Sequence, residues 1–204
     1  VSFSQNSSVD TFVGAGVVGQ GGDIIIDARS LSLTQGGALF ATTLGQGNAG
    51  NIRIATKDTI LIEGRSSERF SGIFSSSFGN GAAGNIDLNA RIIRLNDQGS
   101  IVTNGFSGNG GNIQLTAQDY LLLRRNSAIT TSAGDPANPT PGDGGNITIT
   151  TPFIIAAPNE NSDITANSFS GLGGRITINA RQLFWIAPLS RAELIRRLGT
   201  TDPS

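Results

Sequence analysis

The chain alternates short apolar stretches with glycine-rich turns in a pattern that recurs about every 30 residues. Each unit opens on a glycine anchor, and apolar residues stand two and four positions after it. Apolar residues at every second position are typical of a β-strand with one buried face. The anchors are Gly22, Gly50, Gly84, Gly111, Gly145 and Gly174, and the first apolar ladder is Ile24, Ile52, Ile86, Ile113, Ile147 and Ile176.

Two further strands complete each unit. A second apolar stretch follows a small residue, and a third strand carries one aliphatic residue before the next glycine-rich turn. Units of this length cannot enclose a core alone. Stacked coils can, because equivalent strands then pair in parallel about 4.8 Å apart and place their ladders inside. The pattern therefore predicts an all-β parallel β-helix of about six coils, with three short strands per coil.

The ends of the chain depart from the repeat. Residues 1–19 predict a partial or irregular N-terminal coil, residues 20–187 the β-helix, and residues 188–204 a cap helix and tail. Ser190 and Glu193 form a capping box, which predicts a short C-terminal capping helix at about 191–198 over the open end of the tube. Trp185 is expected to seal the final coil, with sugar binding as the alternative.

Composition narrows the chemistry. The sequence has His 0 and Cys 0, which excludes a Ser-His-Asp triad, a thiol nucleophile, disulfides and His or Cys metal sites. A net charge of −1 gives no basic excess for nucleic acid. No apolar run approaches the roughly 18 residues that a membrane span needs. We expect no cofactor, no metal, no nucleic acid partner and no transmembrane segment.

An asparagine recurs beside four consecutive anchors. Stacked in register, such amides bond to one another along the rod. Because the next residue is always a core isoleucine, we predict an internal ladder that holds the turn, with ligand contacts as the alternative. The residues are Asn51, Asn85, Asn112 and Asn146.

Two insertions lengthen the repeat, at residues 63–72 and 133–143. Loops on a rigid scaffold often carry function, so both are candidate interaction loops. Tolerated surface variation is the alternative. Their candidate contact residues are Arg65, Glu68, Arg69, Asp135 and Asn138.

One pair of acids stacks in the repeat. Glu63 and Asp97 share an offset from their anchors in adjacent coils, and Arg124 follows at that offset in the next. Glycosidases need two carboxylates flanking the scissile bond. The alternative function is therefore a polysaccharide-acting β-helix enzyme that uses these residues. A solvated polar row explains the same pattern, and we expect no enzyme.

The segments LLLRRNSAITT and PNENSDITANS resemble passenger repeats of the cyanobacterial filamentous haemagglutinin family, which is of the two-partner secretion type. The resemblance implies a right-handed parallel β-helix, export across the outer membrane, and adhesion or aggregation. The family's N-terminal secretion domain with its NPNG-type motif is not present, so the chain resembles a piece of the passenger. The family carries no defined catalytic residues to transfer.

The expected function is that of a structural or adhesive segment of a secreted or cell-surface protein. Its location would be extracellular or on the outer cell surface. It would act as a rigid scaffold for a cell-surface or extracellular matrix ligand, with glycans among the candidates. Open strand edges at the ends of the rod add homo-association through the β-helix ends as a secondary hypothesis.

Overall fold

The computed structural model describes residues 1–134 and 142–186, and every regular element in them is a β-strand. The strands are β1 (Ser2–Phe3), β2 (Ser8–Val13), β3 (Ile24–Ala28), β4 (Leu31–Thr34), β5 (Ala38–Thr43), β6 (Ile52–Thr56), β7 (Thr59–Glu63), β8 (Gly72–Ser77), β9 (Ile86–Asn96), β10 (Ser100–Gly105), β11 (Ile113–Leu123), β12 (Ala128–Ala133), β13 (Ile147–Ile155), β14 (Asp163–Ser168) and β15 (Ile176–Phe184).

Two parallel sheets run the length of the described chain. The first has the order β1-β4-β7-β9-β11-β13-β15, with β3 and β6 joined to it, and the second has the order β14-β12-β10-β8-β5-β2. Each strand pairs with the equivalent strand of the next coil, as when Ile86 lies beside Ile113. The predicted parallel β-helix of about six coils is thereby confirmed.

The division of a coil into three strands changes along the rod. In the first two complete coils the two strands that follow the anchor are separate, whereas β9, β11, β13 and β15 each run continuously through both. Ala55 pairs with Asn89 but Thr59 pairs with Ile92, so the second coil holds one extra residue between these positions. That residue is accommodated in a bend at Lys57 and Asp58, which interrupts the strand.

Aliphatic ladders fill the interior. Ile52, Ile86, Ile113 and Ile147 are at most 1% exposed, whereas Ile176 in the last described coil is 40% exposed. At this end of the described coils the rung is partly uncovered, whereas Ile24, whose strand pairs on one side only, is just 4% exposed. Full burial of each such side chain contributes about 1.5–3 kcal/mol.

The anchor glycines permit close approach of successive coils. A Cβ at Gly84 would overlap the carbonyl oxygen of Gly50, and a Cβ at Gly111 would overlap that of Gly84. Neither glycine has a positive φ. Glycine can be required by a left-handed backbone conformation or by close approach of another backbone segment. At these two anchors the reason is close approach of the preceding coil.

The ends differ from the repeat in different ways. Residues 1–19 contribute β1, which pairs with β4, and β2, which pairs with β5. The predicted helix at 191–198 lies outside the described residues. The prediction that Trp185 seals the final coil is wrong, because its side chain is 66% exposed and its backbone has a φ of 56°.

If the stacked isoleucines form the core, truncating one in a central coil should lower the free energy of unfolding strongly. Ile86→Ala removes a fully enclosed side chain between two coils and should lower the free energy of unfolding by about 2–5 kcal/mol. The matched control Gln114→Ala alters an exposed position of the same sheet and should change it by less than about 0.5 kcal/mol. Urea unfolding measures both, and equal losses would contradict the assignment of inside and outside.

Candidate functional site

Buried hydroxyl groups hold the glycine-rich turn from within. Thr103 and Thr131 are fully buried, and their Oγ1 atoms donate to the carbonyls of Gly111 and Gly145, each at 2.6 Å. Ser75 donates to the carbonyl of Gly50 and accepts from the backbone N–H of Gly84, both at 2.9 Å. The sequence carries a signal for this column, namely Ser or Thr two positions after the third-strand residues Ile73, Ile101 and Ile129.

The recurring asparagines form a ladder between side chain and backbone. The Oδ1 of each one accepts the backbone N–H of the equivalent residue in the next coil, and Asp23 supplies the first acceptor. The bonds are Asn51 N to Asp23 at 2.7 Å, Asn85 N to Asn51 at 2.9 Å, Asn112 N to Asn85 at 2.8 Å, Asn146 N to Asn112 at 2.9 Å and Arg175 N to Asn146 at 2.9 Å.

The interior position predicted for this ladder is wrong. All four asparagines are exposed, because the strand alternation that buries the following isoleucine turns the preceding residue outward. A direct bond between two of the amides is present between Asn112 Nδ2 and Asn85 Oδ1 at 3.1 Å.

A second polar row runs beside the first, on the other side of the small residues of the turn. Asn48 Oδ1 accepts the backbone N–H of Ala82, and Asn109 Oδ1 accepts that of Asp143, both at 2.9 Å. The two rows border a groove of about 640 Å³ with a floor of glycine and alanine. The acceptor atoms of the rows are engaged in holding the coils, so their first role is structural.

The insertion at 63–72 is folded back onto the rod. Arg69 Nε donates to the carbonyl of Gly36 at 2.8 Å, its Nη2 donates to the carbonyl of Asn6, and its guanidinium lies 5.4 Å from the ring centre of Phe40. One arginine thus ties three coils together. Two of its three guanidinium nitrogens are engaged within the chain, and the contact of Arg69 with a partner stays a prediction.

The tip of the same insertion is more open. Arg65 and Glu68 are exposed, and the Arg65 guanidinium lies 5.0 Å from the ring centre of Phe70, which is 44% exposed. These side chains remain available at the surface. Asp135 and Asn138, the candidates from the other insertion, lie outside the described residues.

The carboxylates considered for catalysis do not share a column. Glu63 pairs with Asn96, and Asp97 lies one position further on, in a turn with a φ of 46°. The cause is the extra residue of the second coil, which shifts the register after the bend by one position. Arg124 is engaged elsewhere, so the structure does not bring the three residues together as the offset predicted.

Arg124 instead forms a two-pronged ion pair that the sequence did not indicate. Its Nε and Nη2 donate to the two carboxylate oxygens of Glu160 at 2.7 and 2.8 Å, and the backbone N–H of Arg125 donates to Glu160 at 2.8 Å. The guanidinium of Arg124 and then the N–H of Arg125 lower the pKa of Glu160 from 4.5 to about 2. Glu160 lies in a turn of different length from its neighbours, so no repeat offset points to it.

Within residues 1–134 and 142–186, there is no group of three or more His, Cys, Asp or Glu side chains that could hold a metal ion. The same part of the chain holds no helix of the length and apolarity needed to cross a membrane.

Comparison with protein-family models, with curated proteins and with solved structures finds no match to the chain. The interpretation of the site therefore rests on its geometry.

The asparagine ladder predicts a side-chain-specific effect on stability. Asn85→Ala removes the acceptor for Asn112 and should lower the free energy of unfolding by about 0.5–1.5 kcal/mol. Asn85→Asp keeps an acceptor, as Asp23 does at the first rung, and should retain most of the stability. Asn89→Ala, at an exposed strand position, is the matched control. A loss in Asn85→Asp equal to that in Asn85→Ala would contradict the ladder.

The ion pair predicts a pH dependence. Because the pKa of Glu160 is lowered on folding, its contribution is fully present above about pH 4.5 and is lost as the pH falls towards about 2. Glu160→Gln should therefore lower the thermal unfolding midpoint at neutral pH and match the wild type near pH 2. Glu68→Gln, on the exposed insertion, should follow the wild type throughout. A constant difference for Glu160→Gln at every pH would contradict the assignment.

Proposed function

We propose that the chain is a rigid, non-catalytic scaffold segment of a secreted or cell-surface adhesive protein. The observation that carries the proposal is the pair of unbroken parallel sheets, in which each coil is held to the next over the whole described length. A scaffold of this kind presents its outer faces at fixed spacing. Binding then depends on side chains along the rod and on its insertions, not on movement of a domain.

Three kinds of contact support stiffness along the axis. Parallel backbone hydrogen bonds join the strands, and the asparagine ladder joins the turns, as at Asn85 and Asn112. Cross-coil ties such as the pair of Arg124 and Glu160 add to both. Bending the rod would strain all of them at once, so the segment suits a role in holding surfaces at a distance.

The proposed location at the cell surface is supported by the sequence. The segments that resemble haemagglutinin passenger repeats lie on the end of β11, on β12 and on β14, and in the turns that precede β12 and β14. The absence of cysteine suits a chain that is exported unfolded, since a disulfide would hinder passage through a pore. The partner in this proposal is a ligand of another cell surface or of the extracellular matrix.

Self-association through the ends belongs to the same proposal. Parallel pairing has a direction, so a second copy continues both sheets only when it stacks head to tail. Asp23 begins the asparagine column and Arg175 ends it, and both are exposed. Head-to-tail stacking brings these opposite charges together, which favours it over stacking of like ends.

Surface exposure and adhesion are tested together. Antibody to the purified chain should label intact cells that make it, and beads coated with the folded chain should adhere to cells or matrix. Beads coated with the thermally unfolded chain, at equal density, are the control, because the proposal requires ordered coils. Labelling that appears only after permeabilisation, or equal adhesion of folded and unfolded chain, would contradict the proposal.

The end contact has its own measurement. Sedimentation across a wide concentration range should show growth by whole copies, and Arg175→Asp should weaken that growth. A monomer at every concentration would remove self-association from the proposal and leave the scaffold role in place.

A further inference from the structure

A shallow cleft, widely open to solvent, lies on the outer surface where β11, β13 and β15 bend. It has a volume of about 530 Å³ and spans three successive coils. Each coil contributes the same strand positions to its wall, among them Gln118, Pro152 and Arg181. The cleft is therefore a repeated unit, and its repeat is the spacing between coils, about 4.8 Å.

Polar side chains with free hydrogen-bonding groups stand at this cleft. Gln118, Asn179 and Arg181 are exposed, and within the described chain none of these three side chains makes a hydrogen bond or an ion pair. Arg181 is the charged member of the described lining. A free guanidinium offers a fork of donors that matches the two oxygens of a carboxylate.

A row of aromatic rings adjoins the cleft. Phe153 follows the lining residue Pro152 and is 38% exposed. Its ring centre lies 6.4 Å from that of Phe184, which lies 6.1 Å from that of Trp185. Flat apolar rings beside unpaired donors form a surface on which one face of a ligand stacks while its edge is hydrogen-bonded.

The backbone at the end of this row is strained. Trp185 has a φ of 56°, a conformation that bulky residues rarely adopt, and its side chain is 66% exposed. Strain of this kind concentrates at ligand-binding positions. Here it holds the indole on the surface beside Phe184, where packing of the coil does not require it.

We propose that the cleft and the ring row bind an extended acidic polysaccharide, which names the ligand of the proposed adhesive role and rests on that role. The coil spacing of about 4.8 Å is close to the advance of one sugar unit in an extended chain, so successive coils meet successive sugars. The apolar faces of the sugars stack on Phe153 and Trp185. Hydroxyl groups bond to Gln118 and Asn179, and a uronate carboxylate pairs with Arg181.

Trp185 is the only tryptophan in the chain, so its fluorescence reports binding at this place. Titration with oligogalacturonates should shift and saturate that signal. The affinity should rise up to about three sugar units and then level off, because the cleft spans three coils. Cello-oligosaccharides of equal length, which lack the carboxylate, should bind more weakly.

Matched variants separate charge, stacking and folding. Arg181→Gln should weaken oligogalacturonate binding by about tenfold or more and leave cello-oligosaccharide binding unchanged. Phe153→Ala should weaken both. Arg53→Gln and Phe78→Ala, an exposed cation and an exposed ring elsewhere, should change neither, and circular dichroism checks that every variant is folded.

Two results would overturn the inference: no saturable fluorescence change with either sugar series, or unchanged oligogalacturonate affinity in Arg181→Gln. Both are measured on the purified chain and leave surface labelling and bead adhesion untouched. Failure of the cleft is therefore distinguishable from failure of the scaffold proposal.

Discussion

Hydrogen bonding between equivalent backbone positions of successive coils is the constraint on which the rest of the molecule depends. It sets Ile86 over Ile52 and under Ile113, and only in that register do the apolar ladders close around a dry interior. The same register brings Asn85 within reach of the Asn112 backbone. A slip by one residue would turn each ladder outward and separate every rung of the asparagine column.

The repeating parts of the fold could be predicted from the sequence, because the same residue types recur at equivalent positions of successive coils. The isoleucine positions, the glycine anchors and the asparagine column are of this kind. What could not be predicted arises where one coil differs from its neighbours. One extra residue before Thr59 places Glu63 beside Asn96, so that counting from the anchor misplaced the acids.

The direction of individual side chains is the other feature that the sequence pattern does not predict. Alternation places Asn85 outside, but the pattern of anchors alone suggested an inner ladder. Trp185 illustrates the same point more strongly, since its left-handed backbone reverses the direction that strand alternation would give it. A threonine such as Thr103 is ordinary in a strand, so the sequence pattern alone does not indicate its structural role. That role is shown by its bond to the carbonyl of Gly111.

The functional proposals follow from a regular frame with few irregular features on it. The aliphatic and asparagine ladders and the hydrogen bonds of Arg69 join successive coils. These contacts account for stiffness of the rod but do not indicate what it binds. The bend of β11, β13 and β15 is where free polar groups and exposed rings meet. A rigid rod with a repeated cleft on its side suits recognition of a polymer with a repeat of its own.

Distances between coils in solution test the central claim most directly. The chain has no native cysteine, so pairs of introduced cysteines can be spin-labelled without side reactions. Ile25, Thr148 and Thr177 occupy one outer column, with four coil spacings between the first two and five between the first and last. In-register stacking predicts narrow label distances centred near 19 and 24 Å, about 4.8 Å apart. Broad distributions, or a second distance no longer than the first, would contradict it.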